Sequence, residues 1–232
     1  MNYSSIAEQI GPRTGATQEW VYRVLRHGIV SGELPGGAQL KQDEISAALN
    51  VSHIPVREAL RQLEALGLVR IHPNRGASVT QLSRSTLLDM MEVRATLSVM
   101  ALRNSAPLLT EEDYDALDAV IAAQRQETDL FRTEELNYRF HDLLSYHAEN
   151  SVSNLFMDII HANIDRYMRR NFYGSTATRE RSINEHEQIL AACRAGDFDR
   201  ACELLSSHIL NAKEYILSLI HISEPTRLRC IS

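Results

Sequence analysis

Four residues of this chain could close on one ion. Asn137 and His141 lie four apart in Leu136-Asn137-Tyr138-Arg139-Phe140-His141, so a helix there puts both side chains on one face. His186 and His208 fall in two further helical patterns. One amide oxygen and three imidazoles from three facing helices can make a metal site in the core of a bundle. Spacing alone favours the plainer reading, three unrelated histidines. A helical metalloenzyme, in which the cluster activates water, is the competing class. His186-Glu187 opens an H-E-x-x-H pattern, but Leu190 stands at the fifth position, and no G-x-S-x-G or P-loop motif accompanies it. A different chemistry belongs to Arg57 and Arg61, also four apart: a guanidinium can bond guanine O6 and N7 as a fork, or clasp a phosphate.

The elements that must carry the arginines are short. Val56, Ala59, Leu60, Leu63 and Leu66 recur at three- and four-residue steps and define one face of a helix, with Arg57, Arg61, Gln62 and Glu64 off it. Ser52 suits the N-cap and Pro55 the first turn, so the helix is expected to begin near His53. Before it, Asp43–Leu49 forms a short helix with acidic residues in its first turn, and Asn50-Val51 makes the connecting turn. After it, Gly67 can stop the helix, and Leu68–Ile71 and Ala77–Thr80 flank the turn-forming run His72–Gly76. Two helices and a hairpin in this order read as a winged helix-turn-helix over residues 17–80, with double-stranded DNA as partner. Arg57 is the candidate base reader; Ser52 and His53 can meet a base edge or a phosphate. Lys41, Gln42, Asn74, Arg75 and Gly76 are expected to position the duplex backbone, and Arg61 can meet either a base or a phosphate.

Beyond Thr80 the pattern changes to amphipathic helices without strand signals. Candidate helices run over 83–106, 111–130, 134–148, 151–172, 178–195 and 197–219, with Thr110 and Ser151 as caps and Pro107, Gly174 and Gly196 as breaks. The expected architecture is mainly α: a winged helix-turn-helix, then an all-helical bundle of about six helices over 81–216. Residues 1–16, containing Gly11 and Pro12, are expected to form a flexible arm.

Composition agrees with two soluble domains. The chain has 232 residues, 44% of them hydrophobic but only 6% aromatic, and no apolar run reaches the roughly 18–20 residues that span a bilayer. Cys193, Cys202 and Cys230 form no C-x-x-C pair, which suits reduced thiols in the cytoplasm. The net charge of −6 is unevenly divided: residues 12–80 hold 8 Lys+Arg against 6 Asp+Glu, so the acidic excess lies elsewhere. A DNA-binding dimer needs only a local basic face.

The segment Ile29–Gly37, the run Val51–Leu60 and the tip Asn74–Gly76 resemble, in order, the connection, recognition segment and wing tip of the GntR family of bacterial transcription regulators. Gly36 stands where that family prefers a second proline, and His53 where it often has arginine. Asn137–His141, Glu185–Leu190, and Gly196-Asp197 followed by Ala201 and His208 resemble the FCD effector-binding domain of its FadR branch. The resemblance implies a metal held by Asn137, His141, His186 and His208, with a small carboxylate effector beside it. Asn137 replaces the commoner aspartate, which lowers the negative charge of the site. Zinc, nickel or manganese are admissible for such N/O ligands. Arg94 matches a position whose side chain enters the cavity and is the candidate clamp for the carboxylate; Arg166 and Arg169 are lesser candidates, and His147 and His161 have no motif behind them. The expected protein is a homodimeric, ligand-responsive regulator; a metal-responsive regulator, with the ion as signal, is the alternative. Residues 217–232 resemble the translation of a sequencing-library adaptor, so a non-native read-through tail is expected there, leaving His221 and Cys230 without function. Operator, effector and direction of regulation stay open.

Overall fold

The computed structural model describes residues 1–73, 76–148, 151–171 and 175–223; of these, the side chains of 131, 151–152, 165–171 and 214–223 are not described. It contains two compact units, one made of residues 1–83 and 151–170, the other of 84–150 and 171–232.

The first unit is the winged helix. After α1 (Tyr3–Ile10), α2 (Thr17–Ser31), β1 (Gln39–Leu40) and α3 (Gln42–Leu49) come α4 (His53–Ala65), β2 (Val69–His72) and β3 (Gly76–Val79). Val56, Ala59, Leu60 and Leu63 of α4 are buried as their spacing requires, and Leu66 packs against the same core from its edge. Ser52 holds the N-cap position with extended backbone, but its side chain makes no capping bond. Asn50 turns the chain between α3 and α4 in the left-handed region, φ 50°, a conformation asparagine tolerates.

The three strands pair antiparallel in the order β1-β3-β2, with Arg70 opposite Ser78 and His72 opposite Gly76. Glu64, on the polar side of α4, accepts the Ile71 backbone N–H at 2.7 Å and so ties the helix to the wing. Gly76 has φ +78°, and a Cβ there would stand 2.7 Å from the Leu40 carbonyl oxygen. Only glycine lets β3 come this close to β1.

Two expectations about this unit are corrected. Residues 1–16 are not a loose arm: α1 buries Tyr3 and Ile6, Asn2 caps it through Ser5 N–H at 3.1 Å, and Trp20 Nε1 donates to the Gly11 carbonyl at 3.1 Å. Ile6 sits against Gly28 of α2, where an added Cβ would meet it at 2.8 Å. The second correction concerns α8 (Ser151–Asn171), expected within the helical bundle. It groups with the winged helix instead. Ala162 joins that unit's core, and Asn163 Nδ2 donates to the Leu66 carbonyl, at the C-cap of α4, at 2.7 Å and to Ile159 O at 2.9 Å.

The second unit is helical. It contains α5 (Arg84–Ser105), a 3-10 turn (Ala106–Leu108), α6 (Glu111–Gln126), α7 (Leu130–Leu144), α9 (Thr176–Arg194) and α10 (Phe198–Ser223). Thr110 caps α6, as the sequence predicts, and Asp113 completes a full capping box with it. Asp129 starts α7 and Ser175 starts α9, each accepting a bond from the N3 backbone N–H, so these helices begin before the apolar patterns do. Gly196, φ +74°, breaks α9 from α10. Helix α10 packs on α5 and α9, and α6 on α7 and α9. Leu87, Met91, Leu117, Phe140, Ile189 and Leu205 are among its buried residues. Backbone is helical through Ser223; residues 224–232, including Cys230, lie outside the described residues.

Candidate functional site

Three of the four candidate ligands meet inside the second unit. One ring nitrogen each from His141 on α7, His186 on α9 and His208 on α10 lie within 4.8 Å of one another. All three are buried, His186 at 1% exposure. The sequence brings them together because each lies on the buried face of its helix, a face that on α7 also carries Thr133, Glu134 and Asn137. Phe140 stacks on His186, centroids 4.0 Å apart and planes 19° inclined, and His141 meets His186 edge-on at 5.4 Å. Asn137 is buried one turn before His141 on the same face of α7.

The outer nitrogens are engaged. His208 Nδ1 lies 2.7 Å from Glu185 Oε2, and Asn211 Nδ2 donates to Glu185 Oε1 at 3.0 Å. His186 Nδ1 lies 3.0 Å from Gln124 Oε1 on α6. A carboxylate only accepts, so His208 carries its proton on Nδ1 and presents the lone pair of Nε2 inward. The two Nε2 atoms are 3.3 Å apart.

Electrostatics keep these rings neutral. Burial above all, then the neighbouring His208 and the charge of Arg94, push His186 well below its ordinary value. Burial likewise lowers His208, outweighing the opposing pull of Glu185. Burial raises Glu185, but the bonds from His208 and Asn211 and the Arg181 charge more than offset it, and the net shift is downward. Arg94, on α5, is itself buried, and its field reaches both histidines.

This donor set fits a divalent ion. Two imidazole nitrogens bound to a tetrahedral ion at about 2.0–2.1 Å stand roughly 3.3 Å apart, which is the separation of the facing Nε2 atoms. Neutral rings with their outer N–H groups engaged are the form in which histidine binds metal. The same separation suits an N–H···N bond given by His186 to His208, with the Gln124 amide turned to donate.

The DNA-facing candidates lie on the first unit's surface. Ser52, His53, Arg57 and Arg61 are exposed on α4, and Lys41 at the start of α3 is exposed with Gln42 half-buried. Glu58 holds both arginines loosely, Arg57 Nε at 3.7 Å and Arg61 Nη1 at 3.4 Å. His53 Nδ1 lies 3.5 Å from Asp43 Oδ1, and Lys41 Nζ 2.7 Å from Glu44 Oε1. Gly76 is required by the wing's own geometry. Asn74 and Arg75, at the wing tip, lie outside the described residues, as do the side chains of Arg166 and Arg169. His147, which has no motif, bonds Asp113 through Nε2 at 2.9 Å and is structural.

Sequence reasoning missed Gln124 and gave Glu185 no role. Gln124 carried no signal, being 62 residues from its partner; Glu185 stood directly before a candidate ligand, and that adjacency was a usable clue.

A winged helix joined in one chain to a helical unit with a buried histidine cluster defines a DNA-binding regulator with a separate helical domain. Residues 17–79 match the bacterial regulatory proteins of the gntR family, and residues 89–211 match the FCD domain. The chain belongs to the GntR family of transcriptional regulators, with an FCD effector domain. It is 28% identical over 217 residues to the HTH-type transcriptional repressor RspR of Escherichia coli, covering 91% of this chain and 93% of that protein. It is 30% identical over 206 residues to the HTH-type regulator BphR of Paraburkholderia xenovorans, covering 82% and 81%. Among solved structures, a GntR family member from Pseudomonas syringae aligns with a TM-score of 0.55 and 28% identity over 94% of both chains. The matched relatives are transcriptional regulators rather than enzymes. No helix among the described residues is long and apolar enough to cross a membrane.

Proposed function

We propose that this regulator acts in the cytoplasm as a homodimer whose helical unit binds a divalent metal ion and, beside it, a small carboxylate effector that alters operator binding. The observation that carries this reading is the convergence of the buried His141, His186 and His208, with burial keeping His186 and His208 neutral and the buried cation Arg94 in the same helical unit. Asn137 completes the proposed donor set. Zinc, nickel or manganese bound there would add positive charge to the cavity. Arg94 then takes the anion's other side in a forked pair. Phe140, stacked on His186, and the burial of all three histidines keep water away, which strengthens both attractions.

In the other unit, Arg57 reads a base and Ser52 and His53 follow it into the major groove, while Lys41, Gln42, Arg61, Asn74, Arg75 and Gly76 fix the phosphates. Two copies bind a pseudo-palindrome with half-sites a helical turn or a multiple apart. Helix α8 is the natural coupling element: it lies in sequence between α7 and α9, which carry three of the proposed ligands, and its middle bonds the C-cap of α4. The name of one relative as a repressor supports repression.

A gel-shift titration on the promoter beside the gene tests the proposal, first with metal alone and then with sugar acids, hydroxy acids and short-chain acids at fixed metal. A change of operator affinity with one class of acid supports it. A full response to metal alone favours the metal-sensing reading, and no response to any acid refutes the effector.

A further inference from the structure

The nitrogen cluster is built from imidazoles, and the carboxylate of Glu185 stands one hydrogen bond away from it. Among the described residues, the ligand atoms that gather within 4.8 Å are those of His141, His186 and His208. Asn137 adds at most a neutral carbonyl. A dication held only by neutral groups in a buried site keeps its whole charge where water cannot screen it. Glu185 answers that charge. Its Oε2 accepts from His208 Nδ1 at 2.7 Å, while its Oε1 accepts from Asn211 Nδ2 at 3.0 Å and lies 3.4 Å from Arg181 Nε. Both oxygens are thus engaged, which fixes the carboxylate and, through it, the plane of the His208 ring. His186 is backed differently, by the uncharged amide of Gln124 at 3.0 Å. An amide can turn over and serve as either donor or acceptor; a carboxylate cannot.

We infer that Glu185 is a positioning residue of this site: it fixes His208 as the Nδ1–H tautomer and supplies through that imidazole the negative charge the inner ligands lack, whereas Gln124 only orients His186. The inference rests on the metal-binding reading above. A carboxylate behind a ligating histidine raises the basicity of the ring, and its loss costs about 10–100-fold in metal affinity. Asn137 and Glu185 occupy two ends of one charge balance, so an aspartate at 137 offsets the loss of Glu185.

Zinc, nickel and manganese are titrated by calorimetry into the full chain, E185Q, E185L and the double variant N137D/E185Q. Imidazole tautomers are read in each metal-free protein from long-range 1H–15N spectra. E185Q keeps the His208 tautomer, because with the Asn211 amide turned over to accept from the glutamine Nε2 the single glutamine oxygen still faces His208 Nδ1, yet it binds zinc about 10–100-fold more weakly; E185L loses tautomer and affinity together. N137D/E185Q recovers most of the loss. Binding by E185Q within twofold of the parent overturns the inference, as does an Nε2–H tautomer of His208 in the parent. If the parent binds none of the three metals, the metal reading falls and the charge-supplying role with it, and the spectra alone then decide the positioning role. Should E185L fail to fold, the isosteric E185Q and its double variant carry the test.

Discussion

Replacing Arg57 by alanine separates reading from folding. The Arg57 side chain is 52% exposed and its ion pair with Glu58 is long at 3.7 Å. Exposed pairs of this kind contribute less than about 1 kcal/mol, so the variant should melt within a degree or two of the parent. Its effect on DNA is much larger. A forked arginine–guanine contact discriminates its base by about 1–3 kcal/mol, and a dimer on a palindrome makes it twice. The operator should therefore bind about 30-fold to 20,000-fold more weakly, from about 2–6 kcal/mol at 1.4 kcal/mol per decade. Fluorescence anisotropy at fixed salt, with operator and random duplexes in parallel, measures both losses. R57A should narrow the gap between them. Arg61→Ala, one turn further along α4, should weaken both duplexes equally and lower the salt slope by about 1 per half-site. An R57A protein that loses the same factor on operator and random DNA would refute base reading by Arg57.

Three further substitutions test the frame that holds these residues. Gly76→Ala should destabilise the winged helix by at least about 1–3 kcal/mol in urea unfolding, since φ +78° disfavours alanine and its Cβ meets Leu40 O at 2.7 Å; unchanged stability would mean β1 and β3 are not this close. Ile6→Ala should cost about 2–5 kcal/mol in the same assay, because α1 is a buried part of the unit, whereas a flexible arm would show no loss. Asp113 is held down to about 2 by the Thr110 backbone N–H first, then by His147 and the Thr110 hydroxyl. Its folded carboxyl is more acidic than the unfolded one, so its contribution is complete above about pH 5 and fades as pH falls toward 2. D113N should thus melt below the parent at pH 7 and converge with it near pH 2; a constant gap would contradict the pairing.

Much of this frame is legible in the sequence because local signals and tertiary packing agree. Ser52 and Pro55 mark the start of α4, Gly67 follows its end, and Thr110 with Asp113 begins α6. Helix α1 is missed for a physical reason: eight residues are too few to be helical by propensity, and what stabilises them is the docking of Tyr3 and Ile6. Periodicity finds α8 but cannot say which core it joins, since Ile160, Ala162, Asn163 and Ile164 are buried wherever the helix packs. At the site, the three histidines are legible through resemblance to a family, with spacing alone too weak. The groups that orient them, Gln124 and Glu185, contact their partners across 62 and 23 residues, a distance at which no local pattern operates.

The central claim is that a ligand held at the helical unit's histidine cluster controls the DNA-reading face. Its most direct measurement is the operator Kd at saturating metal, with and without an acid that binds, in the parent and in R94A. Coupling between such sites is commonly 1–3 kcal/mol, about 5–150-fold in affinity. The account predicts a shift of that size in the parent and none in R94A, which still binds the operator. Equal operator affinity with and without bound acid in the parent would contradict it.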